Sequence, residues 1–262
     1  MVERLKKMTW YFEPKTFEEG CRRLWHGYLG CITQVDYALG ELMQYLKRTG
    51  KDQNTIVIYG SDHGAYSGTY GVPEKAPGIC SEAVCRVPFV WRVPGVTQPG
   101  YVCHEFVESI DIAPTIASLS GLPAMETTDG HDLTPLLRGG TAPVREYAVT
   151  ENVWSKALRW GPWRFVHYPR QMFGRDVGEL YNLENDPDET RNLYDDEKYS
   201  SIVSESRRLL VEFLAGTTRF VTAHPRPEGN DSSANARLAA DGKETNRVGI
   251  QERVRRKAFN YI

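Results

Sequence analysis

The segment Asn54-Thr-Ile-Val-Ile-Tyr-Gly60, running directly into Ser61-Asp62-His63-Gly64, constrains the fold more than any other stretch of this chain. Its consecutive apolar and β-branched residues read as a strand covered on both faces. Residues 17–49 supply one cover. Phe17, Leu24, Tyr28, Ile32, Val35, Leu39, Leu42 and Leu46 recur at helical spacings, and Lys47, Arg48 and Gly50 form a stop signal. Helix, tight turn and covered strand predict an α/β unit in a parallel sheet. Ligands in such sheets gather beyond the carboxyl ends of the strands, where Asp62 and His63 fall.

A chain of 262 residues can bury a substantial core, as one large domain or one and a half. With 32 basic and 34 acidic side chains, the net charge of −2 gives no global pull towards nucleic acid or an anionic membrane. No apolar run approaches the ~18 residues of a membrane span. Met1 to Trp10 has no signal-peptide core, so the chain as it stands reads as cytoplasmic. Five cysteines (Cys21, Cys31, Cys80, Cys85 and Cys103) without a Cys-x-x-Cys pair argue against a zinc knuckle and require no disulfide framework; Cys21 and Cys31, within the helical pattern, read as small buried thiols.

Further along, residues 61–77 are loop, 79–85 a short helix, 87–92 a second strand and 109–121 a helix with capping candidates Ser109 and Asp111. After about residue 145 the pattern changes. Residues 147–150, 154–160, 163–168 and 179–183 read as short antiparallel strands closed by an amphipathic helix over 195–216. The division is 1–145 as the large α/β part, 146–222 as a small antiparallel subdomain with its helix, and 223–262 as a polar tail or arm.

A carboxylate and an imidazole at Asp62 and His63 suit a divalent cation, with Gly64 giving the backbone freedom to turn both to one point. For the dipeptide alone, an ordinary polar turn is the plainer reading. Lys75 offers a point charge for an anion, and Arg86 is a structural partner for Glu82 one turn back. Trp154, Trp160, Trp163, His167, Tyr168 and Arg170 could line a cleft that stacks a ring, although packing within a small sheet explains them as well.

Taken together, these segments resemble the sulfatase family. Residues 54–64 resemble NTIVIFTSDHG, and Arg86-Val-Pro-Phe-Val-Trp-Arg-Val-Pro-Gly95 resembles RVPLIIRWPG. Residues 109–123 resemble SVDIAPTLLDLAGIP, residues 134–139 resemble SLLPLLRG, and residues 179–193 are similar to ELYDLENDPGETNNL. Five segments in family order over residues 20–215 make the resemblance specific. It implies an α/β fold, the back half of an alkaline-phosphatase-like sandwich with a small C-terminal antiparallel sheet plus helix. It also implies a divalent metal, usually calcium, on Asp62 and His63, and a sulfate contact from Lys75. Gly68-Thr-Tyr-Gly71 stands where the family often has Gly-Glu-His-Gly, so that histidine contact is missing.

The family nucleophile is a formylglycine made within a Cys-x-Pro-Ser-Arg type motif, and none of the five cysteines lies in one. The paired aspartates that complete the family metal site lie upstream of the Asp-His pair, where this chain has only about 60 residues, mostly one helix. The expectation is therefore a sulfate ester hydrolase, acting on a sugar or aryl sulfate, whose active site this chain does not complete. An N-terminal portion would have to complete it, and an unpaired sheet edge would permit self-association. The other readings are a non-catalytic binding remnant, and a phosphodiesterase or phosphonate-ester hydrolase using manganese or zinc.

Overall fold

A computed structural model describes residues 16–217, apart from 73–74, 76–79, 126–127 and 153. The tail expected over 223–262 lies outside the described residues. Helix α1 (Phe17–Arg48) begins at Thr16, whose hydroxyl accepts the Glu19 N–H at 3.1 Å. It ends at Gly50, with φ of 67° and the Lys51 N–H returned to the Leu46 carbonyl at 2.9 Å. Strand β1 (Val57–Gly60) follows, then a loop, the one-turn helix α2 (Glu82–Cys85) and strand β2 (Phe89–Arg92).

Here the structure corrects the expectation of a parallel sheet. Strand β1 pairs with β2 in antiparallel register, Val57 opposite Arg92 and Gly60 opposite Phe89, and no strand lies on its other edge among the described residues. β1 is therefore half-buried instead of covered on both faces. Helix α1 shows the same deficit. Of its expected apolar stripe from Leu24 to Leu46 only Leu46 is buried, while Ile32, Val35 and Leu42 are each nearly half exposed (48%, 47% and 48%). A helix stripe and a strand of this composition are built to be covered, and the described residues cover them only in part.

Helix α3 (Ile112–Leu119) is entered through a single 3₁₀ turn, Ser109–Asp111. Of the two expected capping candidates, Asp111 holds the N-cap position of α3 and Ser109 does not; the 3₁₀ turn itself is capped by Glu108, whose N–H is bonded to Asp111 Oδ2 at 2.7 Å in a reciprocal capping box. Asp111 is completely buried and takes both arms of the Arg145 guanidinium, the Nη2–Oδ1 distance being 2.6 Å. It also accepts the His131 N–H at 2.8 Å. A one-turn helix, α4 (Thr134–Leu137), packs beside α3.

The C-terminal part matches the expected antiparallel pattern. Strands β3 (Tyr147–Glu151), β4 (Lys156–Trp160), β5 (Trp163–His167) and β6 (Gly178–Asn182) form a meander in chain order, with the one-turn helix α5 (Arg170–Phe173) between β5 and β6. Alternation gives the sheet two distinct faces. Leu158, Phe165 and Leu180 join Val203, Leu209 and Leu210 of helix α6 (Ser200–Thr217) in the main core. The opposite face carries Ala157 and Val166, which pack against Cys80 and Cys85. This second face holds the small sheet against the segment that follows the Asp-His loop.

Candidate functional site

Asp62 and His63 emerge from the end of β1, as the strand reading requires. The His63 N–H bonds Asp62 Oδ1 at 3.0 Å, and His63 Nδ1 lies 2.9 Å from the Gly64 carbonyl. A carbonyl only accepts, so Nδ1 carries the proton and Nε2 presents its lone pair. That lone pair faces Asp62 Oδ2 at 3.2 Å and Lys75 Nζ at 2.7 Å. Two acceptors this close require a cation beside them, and the Lys75 ammonium is that cation here. The His63 N–H, reinforced by the charge of Lys75, holds the exposed Asp62 carboxyl below its ordinary range. All three residues singled out from the sequence thus meet at one point.

Gly64 is needed for a reason other than the one expected. Its φ is unremarkable, but a Cβ there would lie 2.1 Å from the Ala83 carbonyl oxygen. The Gly64 N–H bonds the Val84 carbonyl at 2.8 Å, which fastens the Asp-His loop directly to α2. Gly64→Ala should therefore displace this loop and cost about 1–3 kcal/mol, the usual toll of forced overpacking. Thermal unfolding followed by circular dichroism checks this, and an unchanged Tm would mean that the loop is not held to α2.

The loop is held from two further sides. Gly68, with φ of 102°, would bring a Cβ within 3.2 Å of Cys21 Sγ on α1. The Tyr70 hydroxyl, on a residue with φ of 55°, donates to the Asp188 carbonyl at 2.6 Å and reaches Glu189 Oε2 at 3.2 Å. Leu24 and Tyr28 of α1 face His63, Gly64, Ala65, Ser67 and Lys75 across an open hollow of about 260 Å³.

The donor set fits part of a divalent-cation site. A carboxylate and an imidazole lone pair already converge, with the Lys75 ammonium on the imidazole nitrogen. Calcium takes roughly six to eight oxygens, however, and no group of three or more His, Cys, Asp or Glu side chains assembles among the described residues.

The aromatic cleft considered for ring stacking does not form. Trp160 donates Nε1–H to Ser206 Oγ at 2.9 Å and Trp163 meets Tyr199 edge-on at 5.8 Å, both against α6. Tyr168 points to the other face and donates to Glu179 Oε1 at 2.6 Å. Arg170 is exposed at the start of α5, and His167 lies on the α6 side of the sheet. Nor does Glu82 serve Arg86: its carboxylate lies 3.6 Å from Arg159 Nε, on β4.

Sequence reasoning missed Arg164 altogether. It sits between Trp163 and Phe165 in β5, where alternation turns it to the face opposite the main core. There it is 3% exposed, bonds the Cys80 carbonyl and pairs with Glu189 and, at 3.5 Å, with Glu179. Glu189 also accepts the Glu82 N–H at 3.2 Å. This network ties the Glu179–Leu193 segment to α2 and so to the Asp-His loop. The only signal in the sequence was an arginine placed among strand hydrophobics.

These elements are those of an α/β fold of the alkaline-phosphatase type, and the comparisons identify it. The family model Sulfatase matches residues 7–122, and a model described as N-sulphoglucosamine sulphohydrolase, C-terminal, matches residues 78–215, more than half of the chain. The chain belongs to the sulfatase family. It is 28% identical to an arylsulfatase of Clostridium perfringens over 206 residues, 76% of this chain and 42% of that protein. Its identity to a choline-sulfatase of Rhizobium meliloti is 34% over 183 residues, 67% of this chain and 34% of that one. The solved structure of BT4656 in complex with its substrate D-glucosamine-2-N,6-O-disulfate superposes with a TM-score of 0.65 at 26% identity, covering 72% of this chain and 40% of that one. A phosphonate monoester hydrolase of Agrobacterium radiobacter superposes with a TM-score of 0.63 at 26% identity, covering 73% and 41%. The chain spans less than half the length of the curated relatives it matches.

Proposed function

We propose that this chain supplies the metal-loop half of a sulfate ester hydrolase, with Asp62 and His63 as ligands of a divalent cation, calcium by family preference, and Lys75 as the contact to the sulfate group. The observation that carries the reading is the meeting of a carboxylate, an imidazole lone pair and an ammonium at His63 Nε2, with separations of 3.2 and 2.7 Å. The bound cation would supply Lewis-acid polarisation of the sulfate oxygens. Lys75 would then turn its charge from His63 to the ester anion. A sulfated sugar or aryl sulfate as substrate is supported by the relatives, among them the arylsulfatase and the disulfated glucosamine complex.

The nucleophile motif is absent from these 262 residues, so the chain alone is expected not to turn over. Purified chain with a chromogenic aryl sulfate and calcium should match the blank, and turnover above it would sink the expectation. In a protein completed by a segment carrying the nucleophile, Lys75→Ala should lower kcat by about 10²–10³-fold, the effect of losing one preorganised charge contact. An unchanged kcat would remove Lys75 from the site. The superposition with the phosphonate monoester hydrolase favours a phosphonate ester, with manganese or zinc, as the second substrate and metal to try in the same assay.

A further inference from the structure

Cys80 is 2% exposed and packs with Ala157 and Val166, and Cys85, five residues on, packs against the same cluster. Asn152 Nδ2 donates to Cys80 Sγ at 2.9 Å, and Ser155 Oγ lies 3.6 Å from the same sulfur. The Arg164 guanidinium binds the carbonyl of Cys80 itself. The Cys85 thiol shares its hydrogen with Cys80 Sγ, and Thr150 bonds Cys85 in turn. None of these groups takes part in the proposed metal and sulfate contacts.

The geometry points to Cys80 and Cys85 as a peroxide-reactive dithiol, Cys80 being the attacking sulfur and Cys85 the resolving one. Hydrogen bonds from Cys85, Ser155 and Asn152, with the nearby Arg164 charge, outweigh burial and pull the Cys80 thiol well below its ordinary range. The same sharing pushes Cys85 up, so Cys85 keeps the proton. The Cys80 thiolate attacks one peroxide oxygen; the S–O bond forms as the O–O bond breaks, and the departing hydroxide takes the Cys85 proton to become water. The Cys85 thiolate then attacks the Cys80 sulfur; the S–S bond forms, the S–O bond breaks, and the second hydroxide takes a proton from solvent. Two sulfurs give up two electrons and the peroxide accepts them.

The test treats the full chain with hydrogen peroxide at pH 7, then unfolds it, alkylates it and weighs the tryptic peptide 76–86, which contains both cysteines. That peptide should become two hydrogens lighter and resist alkylation at least about tenfold faster than the exposed Cys31 and Cys103 react. Asn152→Asp keeps the side-chain oxygen that accepts the Trp154 and Ser155 N–H groups at 2.8 Å, and removes the amide donor to sulfur. It should slow the reaction about tenfold and move the midpoint of its pH profile upward, with Ser155→Ala acting less in the same direction. Cys85→Ser should leave Cys80 one oxygen heavier. Persistence of both thiols in peptide 76–86 while Cys31 and Cys103 oxidise would overturn the inference. So would a rate and pH profile that neither Asn152→Asp nor Ser155→Ala changes.

Discussion

Asp111→Ala is expected to destabilise the protein by about 3–5 kcal/mol, the cost of stranding one member of a buried ion pair. Asp111 is fully buried and the Arg145 side chain only 7% exposed. Without the carboxylate, Arg145 keeps only Glu108, 3.3 Å away, and the His131 and Glu108 N–H groups lose their acceptor. The hub joins the start of α3 to the start of β3, so its loss loosens the seam between the two parts of the chain. Urea unfolding should show a lower midpoint with an unchanged slope. Asp111→Asn, which keeps an acceptor, should cost less. A loss below about 1 kcal/mol for Asp111→Ala would mean that solvent already reaches the pair.

The second large effect is expected at Arg164. Arg164→Met should cost a further 3–5 kcal/mol or so, since it leaves Glu189 and Glu179 without their cation against the sheet. In a domain of this size that is a fall in Tm of roughly 10 °C. The pH dependence identifies the cause. Burial already raises Glu189 above its ordinary value, opposed chiefly by Arg164. Removing the arginine raises it further. A carboxyl raised in the folded state binds its proton more tightly there than when unfolded, so its stabilising protonation is present at low pH and lost as pH rises from about 4.5. The deficit of Arg164→Met should therefore be smaller near pH 5 than near pH 8. A deficit independent of pH would assign the effect to lost packing. Adding Glu189→Gln to Arg164→Met should recover part of the loss, which a double-mutant cycle measures.

Much of the architecture could be read from local pattern. The period of α1, its Gly50 end, the four short strands and the closing helix are properties of neighbouring residues, and each formed within a few positions of its expected bounds. Asp62, His63 and Lys75 were legible because the first two follow a strand end and the third lies within one loop length. The partners of Arg164, Arg159 and Asp111 were not legible, because each lies on another element far along the chain. The antiparallel pairing of β1 with β2 was missed for a related reason. A strand's apolar run reports that it will be covered, not which neighbour will do it.

By itself, then, the sequence determined the elements, the family and the placing of Asp62, His63 and Lys75 at one strand end and its loop. Local propensity and short motifs act over a few residues, and they are written in order along the chain. Only the tertiary structure decided that Gly64 must be small for the sake of the Ala83 carbonyl, and that Trp160 and Trp163 are core. It also decided that a buried arginine fastens the small sheet to the Asp-His loop, and that Cys80 and Cys85 pack together beside it. Those facts depend on which side chains meet when water is excluded between distant segments, where an unpaired charge or a misplaced methyl group costs most.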